Sequence, residues 1–318
     1  MEVFPNLQTI LLGGTVLIHL GSSDWQLQLI GLFAFVNDHF EHHGWWSICQ
    51  RFSNNNKPRL DDDELLTIYL YARFRGLHRI KQIWTYAHDH LRAFFPNLPA
   101  YQTFNNRLNR LAELFPLIIE HLQPHLFTGQ PEVLRRLVDS YPVMLAEGKR
   151  SKYAKVAPGE AGWGYCCTKY TWYRGFKLHV VAISRPGSIP FIEIAGITPA
   201  NVNDLKAFEN VAYELSPCYV EADKSYFSGE VTLRLGQQGV VLRTPRKGKS
   251  NDVFKGADVR SWVVSSLRQP IESLFNWIHE KTGLQNAHRV RSYRGALVHI
   301  FGSLAVALLH WSVAFPNS

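Results

Sequence analysis

Arg136-Leu-Val-Asp139-Ser-Tyr-Pro-Val143 sets an acid in the middle of an apolar, β-branched run, the pattern of a buried strand. A second acid ends another strand-like run, Pro217-Cys-Tyr-Val-Glu-Ala-Asp223-Lys-Ser-Tyr226. A third opens a helical stretch, Arg268-Gln-Pro-Ile-Glu272-Ser-Leu-Phe-Asn-Trp-Ile-His279. The separations along the chain are 84 and 49 residues. Carboxylate oxygens suit Mg²⁺, with Mn²⁺ as a substitute, and two such ions can clamp the attacking and leaving oxygens of a phosphodiester. Asp139, Asp223 and Glu272 are therefore candidate catalytic residues and candidate metal ligands. The competing reading is coincidence among 26 acids.

The elements between the acids argue against coincidence. A polar loop containing Gly and Lys follows Asp139 to about residue 170. Phe176–Ser184 then reads as a second strand, Arg185–Pro190 as a turn, and Phe191–Thr198 as a third strand, which makes a meander. Asn203 or Asp204 caps a helix over Leu205–Leu215, whose Leu205, Phe208, Val211, Ala212 and Leu215 share one face. The Asp223 strand follows, then a short helix over Val231–Leu235, a fifth strand over Gly239–Pro245, and the Glu272 helix.

This order, with acids on strand, strand and helix, resembles the ribonuclease-H-like nucleases. The expected fold is α/β, a five-stranded mixed sheet flanked by helices, preceded by an all-α N-terminal domain. The expected boundary divides residues 1–130 from residues 131–318, the second part including the C-terminal helices.

Charge follows the same division. The chain of 318 residues carries 34 Lys and Arg against 26 Asp and Glu, a net +8. Residues 1–130 hold 10 basic and 11 acidic side chains, whereas residues 131–318 hold 24 and 15. A basic surface around an acidic metal centre suits a phosphate backbone, although charge alone also suits a membrane surface or mere solubility.

Cys49, Cys166, Cys167 and Cys218 show neither a Cys-x-x-Cys pattern nor zinc-ligand spacing, and a reducing cytoplasm is the simpler expectation. His39, His42 and His43 lie beside Asp38 and Glu41. They suggest a metal, or more simply the solvent edge of a helix over Leu27–His42. The apolar stretches Ile10–Leu20 and Leu297–Leu309 fall short of the roughly 20 residues that cross a bilayer. Met-Glu-Val-Phe at the start lacks the basic region of a secretory signal.

The first 130 residues read as helical. Leu60-Asp-Asp-Asp-Glu places acids where a helix dipole favours them. His78–Phe94 carries Ile80, Ile83, Trp84, Ala87 and Leu91 on one face. Tyr101–Leu122 turns Phe104, Leu108, Leu111, Phe115 and Ile118 inward. Its other face shows Gln102, Asn105, Asn106, Asn109 and Arg110, which are able to contact base edges or simply to face water.

From about residue 58 to 310 the chain resembles the DDE transposases of bacterial insertion sequences. The likeness rests on Leu60-Asp-Asp-Asp-Glu-Leu-Leu, His90-Leu-Arg-Ala-Phe-Phe-Pro-Asn-Leu-Pro, the three acids, and Glu280-Lys-Thr-Gly-Leu-Gln-Asn. The resemblance implies catalytic acids at Asp139, Asp223 and Glu272, two Mg²⁺ ions, and a substrate of double-stranded DNA at element ends and target. It also implies a homodimer or larger assembly on DNA, no membrane, and a cytoplasmic, nucleoid-associated bacterial protein. Many such enzymes line the last helix with Tyr, Arg, Glu and Lys. Here Arg268 and Glu272 match, Ser265 stands at the Tyr position, and His279 at the Lys position with Lys281 two residues on.

Further DNA contacts are expected from Arg243, Arg246, Lys247 and Lys249 after the fifth strand, and from Arg289, Arg291 and Arg294 beyond the Glu272 helix. Trp163, Trp172 and Trp262 either stack on an unpaired base or pack the core. Two other functions fit the same residues: a nuclease of this fold that cuts without joining, and a DNA-binding protein whose acids do no chemistry.

Overall fold

A computed structural model describes residues 20–49, 58–126, 135–246 and 258–314. The chain forms two compact units. The helical unit draws on Met1–Gly129, Glu280–Leu284 and Arg294–Ser318, and the sheet unit on Gln130–His279 and Gln285–Tyr293.

The described helices of the first unit are α1 (Trp25–His42), α2 (Trp45–Ile48), α3 (Asp62–Phe74), α4 (Ile80–His90), α5 (Tyr101–Arg110) and α6 (Leu114–Leu126). The C-terminal helix Tyr293–Ala314 supplies the remainder. Asp61 begins α3 with a reciprocal cap, its backbone N–H donating to Glu64 Oε2 at 2.8 Å. The helix is buried from Leu65 through Arg73, so water meets only its ends. Arg73 in this apolar setting donates to Tyr69 Oη at 3.0 Å, Thr282 O at 2.8 Å and Ser303 Oγ at 2.6 Å, while its Nε finds no partner among the described residues. Tyr69 Oη in turn donates to Val298 O at 3.0 Å, which fastens α3 to the C-terminal helix.

Three expectations need correction here. The predicted helix Tyr101–Leu122 is interrupted by a 3₁₀ turn at Leu111–Glu113, although its apolar set, Phe104, Leu108, Leu111, Phe115 and Ile118, is buried as the spacing requires. Leu297–Leu309 is part of a 22-residue helix that is long and apolar enough to cross a bilayer, contrary to the count made from its most apolar stretch. Most of that helix is buried within the protein. His39 is not on a solvent edge: only 4% of it is exposed, while His42 and His43 face water. The other apolar stretch, residues 10–19, lies outside the described residues.

The sheet unit contains β1 (Arg135–Glu147), β2 (Gly162–Cys166), β3 (Thr171–Ile183), β4 (Phe191–Pro199), α7 (Asp204–Ala212), β5 (Cys218–Glu221), α8 (Gly229–Gln237), β6 (Val240–Arg243), α9 (Val259–Arg268) and α10 (Pro270–Thr282). β1 pairs antiparallel with β3 and parallel with β5, and β5 pairs parallel with β6. The far edge of β3 is shared: Thr171–Gly175 meet β2, and Phe176–Ile183 meet β4. The order is therefore β4 and β2, then β3, β1, β5, β6.

Among the described residues six strands stand where five were expected, because β2 occupies the stretch read as loop. Its alternation of glycine with aromatics has a packing cause. A Cβ on Gly162 would lie 2.1 Å from Asn201 Oδ1, and one on Gly164 would lie 2.9 Å from Ala200 O. Only glycine lets this strand approach the chain leaving β4 so closely.

One sheet face is apolar and covered by α7 and α8. Val138, Val181, Val220, Val240 and Leu242 pack there with Phe208 and Leu235. On the other face Tyr141 stacks on Phe275 of α10, with ring centroids 4.9 Å apart. Asn203 caps α7 by accepting from Leu205 N at 2.9 Å.

Candidate active site

Side chains alternate along β1. Val138 belongs to the apolar cluster, so Asp139 projects with Tyr141 toward the α10 side. The parallel ladder between β1 and β5 pairs Leu137 with Glu221. Two residues further along each chain stand Asp139 and Asp223. Asp223 begins a 3₁₀ turn over Lys224–Tyr226, its carboxylate accepting from Ser225 N at 3.4 Å. Glu272 lies in the first turn of α10.

Arg268, the last residue of α9, joins two of these acids. Its Nη1 is 2.5 Å from Asp139 Oδ2, and its Nη2 is 3.0 Å from Glu272 Oε1. The expected continuous helix from Arg268 to His279 is broken at Gln269, where Pro270 lacks an N–H and starts the new helix. The i,i+4 pairing of Arg268 with Glu272 survives the break.

Electrostatics ties the third acid to this pair. Burial pushes Asp139 up from 3.8 to about 6. The Arg268 guanidinium and the Ser140 N–H oppose that rise, and the charges of Asp223 and Asp204 add to it. Tyr226, three residues after Asp223, is buried, and its hydroxyl finds no hydrogen-bond partner among the described residues. Burial, followed by the charges of Asp139, Asp204 and Asp223, raises its hydroxyl well above its ordinary value. Asp204 and Tyr226 thus lie within reach of the acids' charges, and sequence reasoning missed both. Asp204 was read only as a cap; it also holds Lys177 Nζ at 2.9 Å. Tyr226 was legible as Asp223-x-x-Tyr, a spacing of one 3₁₀ turn.

An open groove of about 610 Å³ runs beside Asp223. Lys224, Arg246, Trp262 and Ser265 line it. Trp262 is 70% exposed, so it does not pack the core, and Ser265 lines the same groove. Trp163 and Trp172 are also exposed, with ring centroids 5.3 Å apart on the β2–β3 hairpin.

The remaining candidate DNA contacts divide between the two units. Arg243 pairs with the fully buried Glu221 and lies over the Tyr219 ring at 4.3 Å, so its charge is engaged in the sheet. His279 Nδ1 accepts from Gln285 N at 3.2 Å, and burial followed by the Lys169 charge lowers its pKa. Arg289 and Arg291 are exposed, Arg291 donating to His288 O at 2.8 Å. Lys281 falls in the helical unit, 3.9 Å from Glu280. Asn105 and Arg110 are on α5 of that unit, Asn105 O accepting from Asn109 Nδ2 and Arg110 exposed. Lys247 and Lys249 lie outside the described residues.

Among family models, the one described as the transposase DDE domain matches residues 129–292. No curated protein and no solved structure matches the chain.

Proposed function

Because the chain belongs to the transposase DDE-domain family, we propose that it cuts double-stranded DNA at the ends of a mobile element and joins the freed ends to target DNA. The observation that carries this reading is the Arg268 bridge between Asp139 and Glu272, with Asp223 close enough for its charge to raise Asp139. Acids distant in sequence meet around a cation. We read the sheet unit as ribonuclease-H-like on the strand order β4, β3, β1, β5, β6, with β2 as an addition.

The donor set fits a divalent metal. Asp139, Asp223 and Glu272 offer hard oxygens suited to Mg²⁺ or Mn²⁺, and the guanidinium held between two of them supports a site that takes positive charge. When bound, such ions supply Lewis-acid stabilisation of the oxygens entering and leaving phosphorus.

The protein's own residues do the rest. Arg268 has a planar fork of donors matched to a phosphate, and it stands one helical turn from Glu272. Lys224 and Arg246 border the groove at Asp223 and can hold the backbone without reading sequence. Trp262 offers an exposed ring for a base unpaired at the cut. No covalent protein intermediate is required, since a water and then a 3′-hydroxyl serve as nucleophiles. Joining needs two ends at once, so we propose a dimer or larger assembly on DNA, acting in the cytoplasm.

The test is cleavage and joining of a duplex carrying the element ends, with Mg²⁺ present or chelated. Metal-dependent nicking followed by joined product supports the reading. Nicking without joining makes the protein a nuclease, and binding without nicking leaves a DNA-binding protein.

A further inference from the structure

A second cluster of ligating side chains lies in the helical unit, composed of residues the acid centre does not use. His39 in the last turn of α1, His43 directly after it, and His121 on α6 bring their ring nitrogens together, with one ligand atom from each within 4.8 Å of the others. The rings are in mutual contact: centroids are 4.7 Å apart for His39 and His43, 4.9 Å for His39 and His121, and 4.6 Å for His43 and His121. Gly44 follows at φ +70, a left-handed turn that starts α2 and lets Trp45 pack beside His39 at 5.0 Å.

The tautomers point the same way. His39 Nδ1 is 2.8 Å from Phe35 O, and His121 Nδ1 is 2.8 Å from Leu117 O. A carbonyl only accepts, so both Nδ1 atoms carry the proton and donate it. Each Nε2 is left with its lone pair, the form in which imidazole binds a metal while its other nitrogen is anchored to a carbonyl. His43 is exposed and free to adjust.

We propose that His39, His43 and His121 bind Zn²⁺. Three imidazoles are a borderline-soft donor set that suits Zn²⁺ rather than Mg²⁺, so this site and the carboxylate centre select different ions. Around a tetrahedral Zn²⁺ with bonds of about 2.0–2.1 Å, ligand nitrogens stand roughly 3.4 Å apart. The ligand atoms, now within 4.8 Å of one another, draw together to that spacing on binding, and the exposed His43 ring is the one with room to move. A water takes the fourth position. The ion ties the end of α1 to α6.

The experiment is equilibrium dialysis of the full chain against Zn²⁺ in excess Mg²⁺, repeated with Co²⁺ for its visible spectrum. The wild type should retain one equivalent of Zn²⁺, and bound Co²⁺ should show the intense bands of a four- or five-coordinate ion. His43→Ala alters a solvent-facing side chain and should remain folded. It should lose that equivalent, weakening binding by more than the roughly 10–100-fold that loss of an outer partner costs. His121→Ala should do the same. His42→Ala should retain the ion, because His42 Nδ1 turns to Asp38 at 3.0 Å. Asp139→Asn should also retain it. No retained Zn²⁺, equal retention in folded His43→Ala, or loss in His42→Ala or Asp139→Asn would overturn the proposal.

Discussion

Arg268 Nη1 lies 2.5 Å from Asp139 Oδ2, a contact spanning 129 residues of sequence. The same guanidinium reaches Glu272, so one internal cation serves two of the three carboxylates. Divalent ions must share or replace it. Arg268→Ala should therefore destabilise the metal-free protein by roughly 1–3 kcal/mol, leaving Asp139 against Asp223 and Asp204. Mg²⁺ should then raise its melting temperature more than that of the wild type. Arg268→Lys keeps the charge but loses the fork, and should bind DNA nearly normally while cutting at least about tenfold more slowly. Full cutting by folded Arg268→Lys removes the bidentate role.

Asp139→Asn, Asp223→Asn and Glu272→Gln each keep the side-chain shape and remove a charged ligand. Each should reduce cleavage by at least about a hundredfold, the scale of several kcal/mol of Lewis-acid assistance, with duplex binding unchanged. Near-normal nicking by any one of them takes that residue out of the centre.

Asp139 also sets a pH dependence. Its folded-state pKa, about 6, lies above the ordinary 3.8, so folding favours its protonated form. That contribution is fully present below about pH 3.8 and is lost as pH rises through 6. Two units correspond to about 3 kcal/mol at most. Melting curves in chelator should show wild type losing ground to Asp139→Asn between pH 4 and 7 by an amount of this order. Parallel curves would mean that Asp139 titrates normally. Metal binding needs the ionised carboxylate, so Mg²⁺ affinity should fall as pH drops through 6.

Trp262 and Arg246 test the groove separately. Trp262→Ala removes an exposed ring and should leave stability unchanged, while weakening single-strand binding by roughly 1–3 kcal/mol. Arg246→Ala should weaken specific and random duplex alike and lower the salt slope by about one unit. An unchanged slope would mean that Arg246 touches no phosphate.

Arg73→Met preserves bulk and removes the donors that serve Tyr69, Thr282 and Ser303. Equilibrium unfolding should show a loss of roughly 3 kcal/mol from the helical unit. A neutral result would show those acceptors to be satisfied without it.

The strands of the sheet unit were legible where apolar residues alternate or run together, as in β1, β3 and β4, and the helix α7 where period and Asn203 cap agree. β2 was illegible because its glycines answer to Ala200 and Asn201, a contact no local pattern carries. Asp139 and Glu272 fall on the strand and the helix expected of them, because their neighbours declare the element type, whereas Asp223 stands two residues beyond β5 as the cap of a 3₁₀ turn. Their partners could not be placed so. Arg243 looked like a free basic residue, yet it neutralises Glu221, and nothing in Thr-Pro-Arg-Lys signals that. His39 looked like a surface residue of an amphipathic turn until Trp45 and His121 folded over it.

The helical unit takes its residues from both ends of the chain, with the sheet unit inserted between them. During synthesis the ribosome releases α3, with Tyr69 and Arg73, long before Val298 and Ser303 exist. The sheet unit has its own core and can close first. The helical unit waits for the last helix, so a message truncated just after about residue 293 yields a folded insert on an unfinished host, with α3 deprived of its permanent neighbour.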